Sequence, residues 1–107
     1  MNTSNQSKIV NGVLDFYNLN QDFFKSFERI YLFGSILSGD SFPNDIDLLL
    51  VYSSFKKELL VDINKITEQT NYLFDIPIDI TALSVTELYQ TAFLSRIKHY
   101  YRIKYVC

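Results

Sequence analysis

The segment Asp45-Ile46-Asp47-Leu48-Leu49-Leu50-Val51 constrains this chain more than any other. Its near-continuous apolar run, preceded by Ser41, Pro43 and Asn44, predicts a strand over about Asp45 to Tyr52 that is covered on both faces. Residues i and i+2 of a strand share a face. Asp45 and Asp47 therefore aim their carboxylates the same way, and Ile46 faces the opposite layer. Two like charges this close raise each other's proton affinity unless a cation compensates. Seating Asp47 directly beside Leu48–Val51 adds the cost of burying an unpaired carboxylate. An oxygen-rich pair of this kind suits Mg²⁺, which binds through a few carboxylates plus substrate phosphates.

The rest of the chain alternates helical and extended patterns. Ile9 to about Leu19 has helical spacing, weakened by Gly12 and ended by Asn18–Asn20, and about Gln21 to Phe27 forms a second helical stretch. Arg29-Ile30-Tyr31-Leu32-Phe33 is a short β-branched and aromatic strand that stops at Gly34. Gly34-Ser35-Ile36-Leu37-Ser38-Gly39 is a turn leading into a very short helix, and Asp40 to Asn44 a loop. Ser54 is a candidate cap for a helix over about Phe55 to Phe74, striped by Leu59, Ile63, Ile66, Thr70 and Leu73. Ile76, Ile78 and Ile80 alternate with Pro77, Asp79 and Thr81, the period of a strand. Ser84-Val85-Thr86-Glu87 is a capping box that opens a helix to about Lys98. Tyr100 to Val106 either continues that helix or forms a last strand. This order gives an α+β or α/β domain of three to four strands.

Composition narrows the function classes. At 107 residues the chain fits one domain, 1–107, with residues 1–8 read as a frayed end. Its 48% apolar and 21% charged residues are those of a globular protein, and a net charge of −2 argues against a globally basic nucleic-acid binder. The single cysteine, Cys107, leaves no intramolecular disulfide and no multi-cysteine zinc site. With neither a membrane-length apolar run nor a signal-peptide core, the expected location is cytoplasmic.

If the Asp79 strand neighbours the Asp45–Asp47 strand, three carboxylates converge on one face. Two divalent ions about 4 Å apart could then clamp the attacking and leaving oxygens of a phosphoryl or nucleotidyl transfer. Gly34 permits close backbone approach, and Ser35 opens a turn whose N–H groups favour phosphate oxygens. Any two of these aspartates alone would be ordinary solvated residues; the conjunction carries the reading.

Leu32-Phe33-Gly34-Ser35, Asn44-Asp45-Ile46-Asp47-Leu48-Leu49-Leu50-Val51 and Ile78-Asp79-Ile80 together resemble the DNA polymerase β-like nucleotidyltransferase superfamily. Within it the chain is most similar to the minimal nucleotidyltransferases, the type of MntA-like antitoxins. The resemblance spans about Arg29 to Leu83 and implies a small mixed sheet with helices mainly on one side. It implies that Asp45, Asp47 and Asp79 are catalytic and bind metal, two Mg²⁺ ions in all, and that Gly34 and Ser35 hold the phosphates of ATP or another nucleoside triphosphate. It implies transfer of an NMP, AMP from ATP, to an acceptor hydroxyl, such as a tyrosine of a partner HEPN toxin in a toxin–antitoxin module, and a homo- or hetero-oligomer. Many minimal members carry Arg just after Gly-Ser; here Ile36-Leu37-Ser38-Gly39 supplies no cation, and the nine-residue spacer to Asp45 is one shorter than usual. The alternative is therefore a weak or inactive module of the same fold that neutralises a partner by contact.

Arg96, Lys98, Arg102 and Lys104 lie among His99, Tyr100, Tyr101 and Tyr105, with no acid from Arg96 to Cys107. A solvated amphipathic terminus is the preferred reading, and a surface for nucleic acid, for the triphosphate or for an acidic partner the rival.

Overall fold

The computed structural model describes residues 2–37, 44–97 and 99–106. The elements run α1 (Asn2–Leu19), α2 (Gln21–Phe24), β1 (Arg29–Phe33), a 3-10 turn (Gly34–Leu37), β2 (Ile46–Tyr52), α3 (Lys57–Leu73), β3 (Ile78–Ser84), α4 (Val85–Gln90), α5 (Phe93–Ile97) and β4 (Tyr100–Tyr105). The strands form one mixed sheet in the order β3-β2-β1-β4. β1 pairs antiparallel with β2 and β4, and β2 pairs parallel with β3. A parallel pair needs a long crossover, and α3 supplies it.

β2 sits inside the sheet and is buried on both faces, as its apolar run requires. On one face Ile46, Leu48 and Leu50 join Ile30 and Leu32 of β1 against Val13, Phe16, Phe24, Phe27, Leu59 and Ile66 from the α1–α3 side. On the other, Leu49 and Val51 pack with Tyr31, Leu83, Leu88, Phe93 and Leu94 under α4 and α5. The longer helices thus cover one face, and two short helices cover part of the other. Leu48, Leu49 and Leu50 are each at most 2% exposed, so truncating one to Ala costs about 2–5 kcal/mol.

Several boundaries differ from the sequence expectation. The α1 backbone is helical from Asn2, before the expected start at Ile9; no Gly or Pro occurs there to stop the helix from propagating backward. Gly12 does more than weaken α1: a Cβ there would lie 2.9 Å from Cε1 of Phe74, so the glycine lets α1 approach the end of α3. α3 starts at Lys57 with Lys56 at the N-cap and no side-chain cap, so Ser54 does not serve; it lies two residues too early, and Leu59 sets where the helix must begin to face the core. The Ser84 capping box forms as expected: the hydroxyl accepts from Glu87 N–H at 3.0 Å and Glu87 Oε1 accepts from Ser84 N–H at 2.9 Å. The helix it opens is broken at Ala92, which takes φ 51. Tyr100–Tyr105 is a strand, at the β1 edge of the sheet. The loop expected over Asp40–Asn44, apart from Asn44, lies outside the described residues, as do Ser38, Gly39, Lys98 and Cys107. Among the described residues no helix is long and apolar enough to cross a membrane.

Candidate active site

The site is built at the end of the sheet where β1 stops and β2 starts. Strand pairing sets Phe33 opposite Asp47, and Asp47 opposite Asp79, in one row across three strands. Asp45 lies just before β2, two residues from Asp47, on the same side. The backbone entry is tied down where Ile46 N–H donates to the Pro77 carbonyl at 2.9 Å, which sets the β2–β3 register that makes Asp47 and Asp79 neighbours.

The three carboxylates converge. One oxygen from each of Asp45, Asp47 and Asp79 can be chosen so that all lie within 4.8 Å of one another. Asp45 and Asp47 are half-buried and Asp79 is exposed, so the cluster opens on the Asp79 side. Asp47 bears the electrostatic consequence: burial first, then the charges of Asp45 and Asp79 and a hydrogen bond with Asp45, push its carboxyl up to about 6. A donor set made only of carboxylate oxygens, one of them held away from ionisation by burial and by its neighbours, fits a hard divalent cation such as Mg²⁺.

Gly34 is required by this arrangement. It adopts φ +86, where L side chains are strained, and a Cβ built there would collide with Asp47 Oδ2 and lie 2.9 Å from its Cγ. The glycine thus makes room for the carboxylate as well as turning the chain. Ser35 follows in the 3-10 turn, half-buried, and Ile36 at 1% exposure anchors that turn in the core. All five residues expected at the site from the sequence, Gly34, Ser35, Asp45, Asp47 and Asp79, therefore fall at the same end of the sheet.

A family-wide sequence profile for the nucleotidyltransferase domain matches residues 19–105. The chain belongs to this family. No curated protein matches it. The nucleotidyltransferase domain superposes on a candidate nucleotidyltransferase from Sulfolobus solfataricus with TM-score 0.58 and 20% identity, over 94% of this chain and 84% of that one. It also superposes on a chain of the Shewanella oneidensis complex of a tri-AMPylated HEPN toxin with MNT antitoxin, with TM-score 0.52 and 16% identity over 99% and 74% of the two chains. A third match is to a chain of a toxin–antitoxin MntA–HpeT complex carrying two Asp→Glu substitutions, with TM-score 0.57 and 14% identity over 94% and 73%. At these identities the likeness is one of fold, and it confirms the mixed sheet with flanking helices as a nucleotidyltransferase fold.

Near the far end of the sheet, Arg29 and Tyr89 join the basic aromatic tail singled out in the sequence, a link the sequence did not give. Arg29 of β1 joins Arg102 and Tyr105 of β4 because the strands pair, and Tyr89 of α4 packs onto the same guanidinium. Nothing in the local sequence links residues so far apart in the chain.

Proposed function

We propose that the domain transfers a nucleoside monophosphate, AMP from ATP, to an acceptor hydroxyl, with Asp45, Asp47 and Asp79 as its catalytic carboxylates. The observation that supports this is the convergence of the three carboxylates beside Gly34 in a member of the nucleotidyltransferase family. Asp45 and Asp47 would hold both of two Mg²⁺ ions, and Asp79 one of them. Bound there, the ions would neutralise the triphosphate and the charge that develops during transfer. Gly34 and Ser35, next to Asp47, would seat the β- and γ-phosphates. Asp79, exposed on the open side, orients the acceptor hydroxyl and draws on its proton. The acceptor oxygen forms a bond to the α-phosphorus, the bond from that phosphorus to the β-phosphate oxygen breaks, and pyrophosphate leaves.

The acceptor we favour is a tyrosine of a HEPN toxin partner, with this chain as the antitoxin. Two of the structural relatives come from toxin–antitoxin complexes, one with a tri-AMPylated toxin. The test is incubation of the purified domain with α-labelled ATP, Mg²⁺ and the product of the adjacent gene. Label should pass to that protein with the wild type and be lost with Asp47→Asn. Absence of transfer over all four nucleotides and several divalent metals would overturn the reading. A second reading, neutralisation by contact alone, is favoured by the exposed apolar side chains Leu60 and Val61 on α3 and Phe55 before it. It predicts that Asp45→Asn/Asp47→Asn still neutralises the partner in full.

A further inference from the structure

On the face of the sheet that carries Asp47, but near its other end, two arginines and two tyrosines form a continuous stack. The Arg102 guanidinium lies 4.9 Å from the Tyr105 ring centre, and Arg29 lies 4.6 Å from the same ring on its way to Tyr89, whose ring centre is 5.6 Å away. Arg29 Nη1 donates to the Tyr89 hydroxyl at 3.1 Å. Among the described residues, the titratable groups that bear on Arg29 are Tyr89, Tyr105 and Tyr31, with no carboxylate among them. Arg102 sits opposite Tyr31 in a stretch, 96–107, that holds four of the ten Lys and Arg and none of the twelve Asp and Glu. The other residues carry six cations against twelve acids, so the sequence around β4 is basic in a chain that is acidic as a whole.

The rings are open to solvent. Tyr105 is 42% exposed, Tyr89 66%, and Tyr100, two residues from Arg102 along β4, 44%. Exposed aromatic rings interleaved with uncompensated guanidiniums on a sheet face are the elements that bind single-stranded nucleic acid: bases stack on the rings and phosphates meet the cations. An acidic peptide would use the cations and leave the rings idle. Arg29 is four residues from Phe33 along β1, about 13 Å, so the stack is separate from the carboxylates.

We propose that the β1–β4 edge, through Arg29, Tyr89, Arg102 and Tyr105, is a binding surface for single-stranded nucleic acid. The surface is independent of the transfer reaction and does not rest on it.

The experiment is fluorescence anisotropy of the full chain with a labelled oligouridylate of about twelve nucleotides. Saturable binding with a dissociation constant on the order of 10 μM at low salt is expected, weakening steeply between about 50 and 200 mM salt. Arg102→Ala should lower the salt slope by about 0.7, and Arg102→Ala/Tyr105→Ala should weaken binding at least tenfold. Both side chains are exposed, and an unchanged circular dichroism melt will show that the variants fold. Asp47→Asn should bind as the wild type does. No saturable binding, equal binding by the double variant, or displacement by polyglutamate as effective as by unlabelled oligouridylate would overturn the proposal.

Discussion

The same sheet gathers like charges twice, and handles them in opposite ways. At one end Asp45, Asp47 and Asp79 meet within 4.8 Å, two of them half-buried. Toward the other, Arg29 and Arg102 flank Tyr105 at 4.6 and 4.9 Å and spread their charge over aromatic rings. The carboxylates have no such outlet, and Asp47 pays by holding its proton up to about pH 6. The arginines find aromatic partners within the chain, whereas the aspartates crowd like charges that a bound cation would compensate. The difference lies in chemistry: a guanidinium is planar, weakly hydrated and stacks on tyrosine, whereas a carboxylate loses its water on burial and gains nothing from an apolar wall.

The largest effect should come from breaking the acidic end. Asp47→Asn is expected to reduce nucleotidyl transfer by at least about 100-fold, a loss of about 2.7 kcal/mol or more in transition-state stabilisation, measured as label incorporated per minute. The same substitution should raise the melting temperature of the metal-free protein, because it removes an unfavourable charge. A variant that is both inactive and less stable would contradict the electrostatic account.

Gly34→Ala comes next. The strained backbone alone costs about 1–2 kcal/mol, and the methyl group must displace the Asp47 carboxylate. Thermal unfolding should fall by several degrees, and Mg²⁺ should restore less of it than in the wild type.

The pH dependence sharpens the contrast further. The Asp47 carboxyl is raised from 3.8 in the unfolded chain to about 6 in the folded one. Its contribution to stability is therefore fully present below about pH 4 and is lost as pH rises to about 6. Without metal, the melting temperature should decline across that window, and Asp47→Asn should flatten the decline. Saturating Mg²⁺ should oppose it, and Mg²⁺ affinity should fall as pH drops below about 6, where a proton competes for the same oxygens.

The smallest effect belongs to the basic end. Arg29→Gln should change stability by about 1 kcal/mol, the worth of a half-buried cation–aromatic contact, in a denaturant titration. A loss of several kcal/mol would mean that Arg29 is a structural strut, and the two ends would then be less different than the geometry indicates.

Much of the acidic site was legible because its parts are local. Asp45 and Asp47 share a face by strand periodicity, and the apolar run behind them forces that strand into the interior. Asp79 was legible as a strand aspartate, but its place beside Asp47 depended on β2 and β3 pairing in register. The Ser84 capping box is a four-residue device and formed as read. The break at Ala92 was not legible, since alanine is the residue least expected at φ 51; the turn there lets Phe93 and Leu94 reach the second core. Nor could β4 be told from a continued helix, because its Tyr, Arg and Lys side chains suit an edge strand only when β1 is beside it.

By itself the sequence determined an interior strand headed by two same-facing carboxylates, a glycine turn before it and the alternation that makes a mixed α+β domain. These follow from periodicity and burial, which act over a few residues. Only the tertiary structure decided that Asp79 completes the cluster, that the glycine must be bare because a carboxylate fills the space of its side chain, and that Arg29 meets the Tyr–Arg edge. Each of these depends on strand order and register, set by the packing of the whole sheet between its helices rather than by any neighbouring residue.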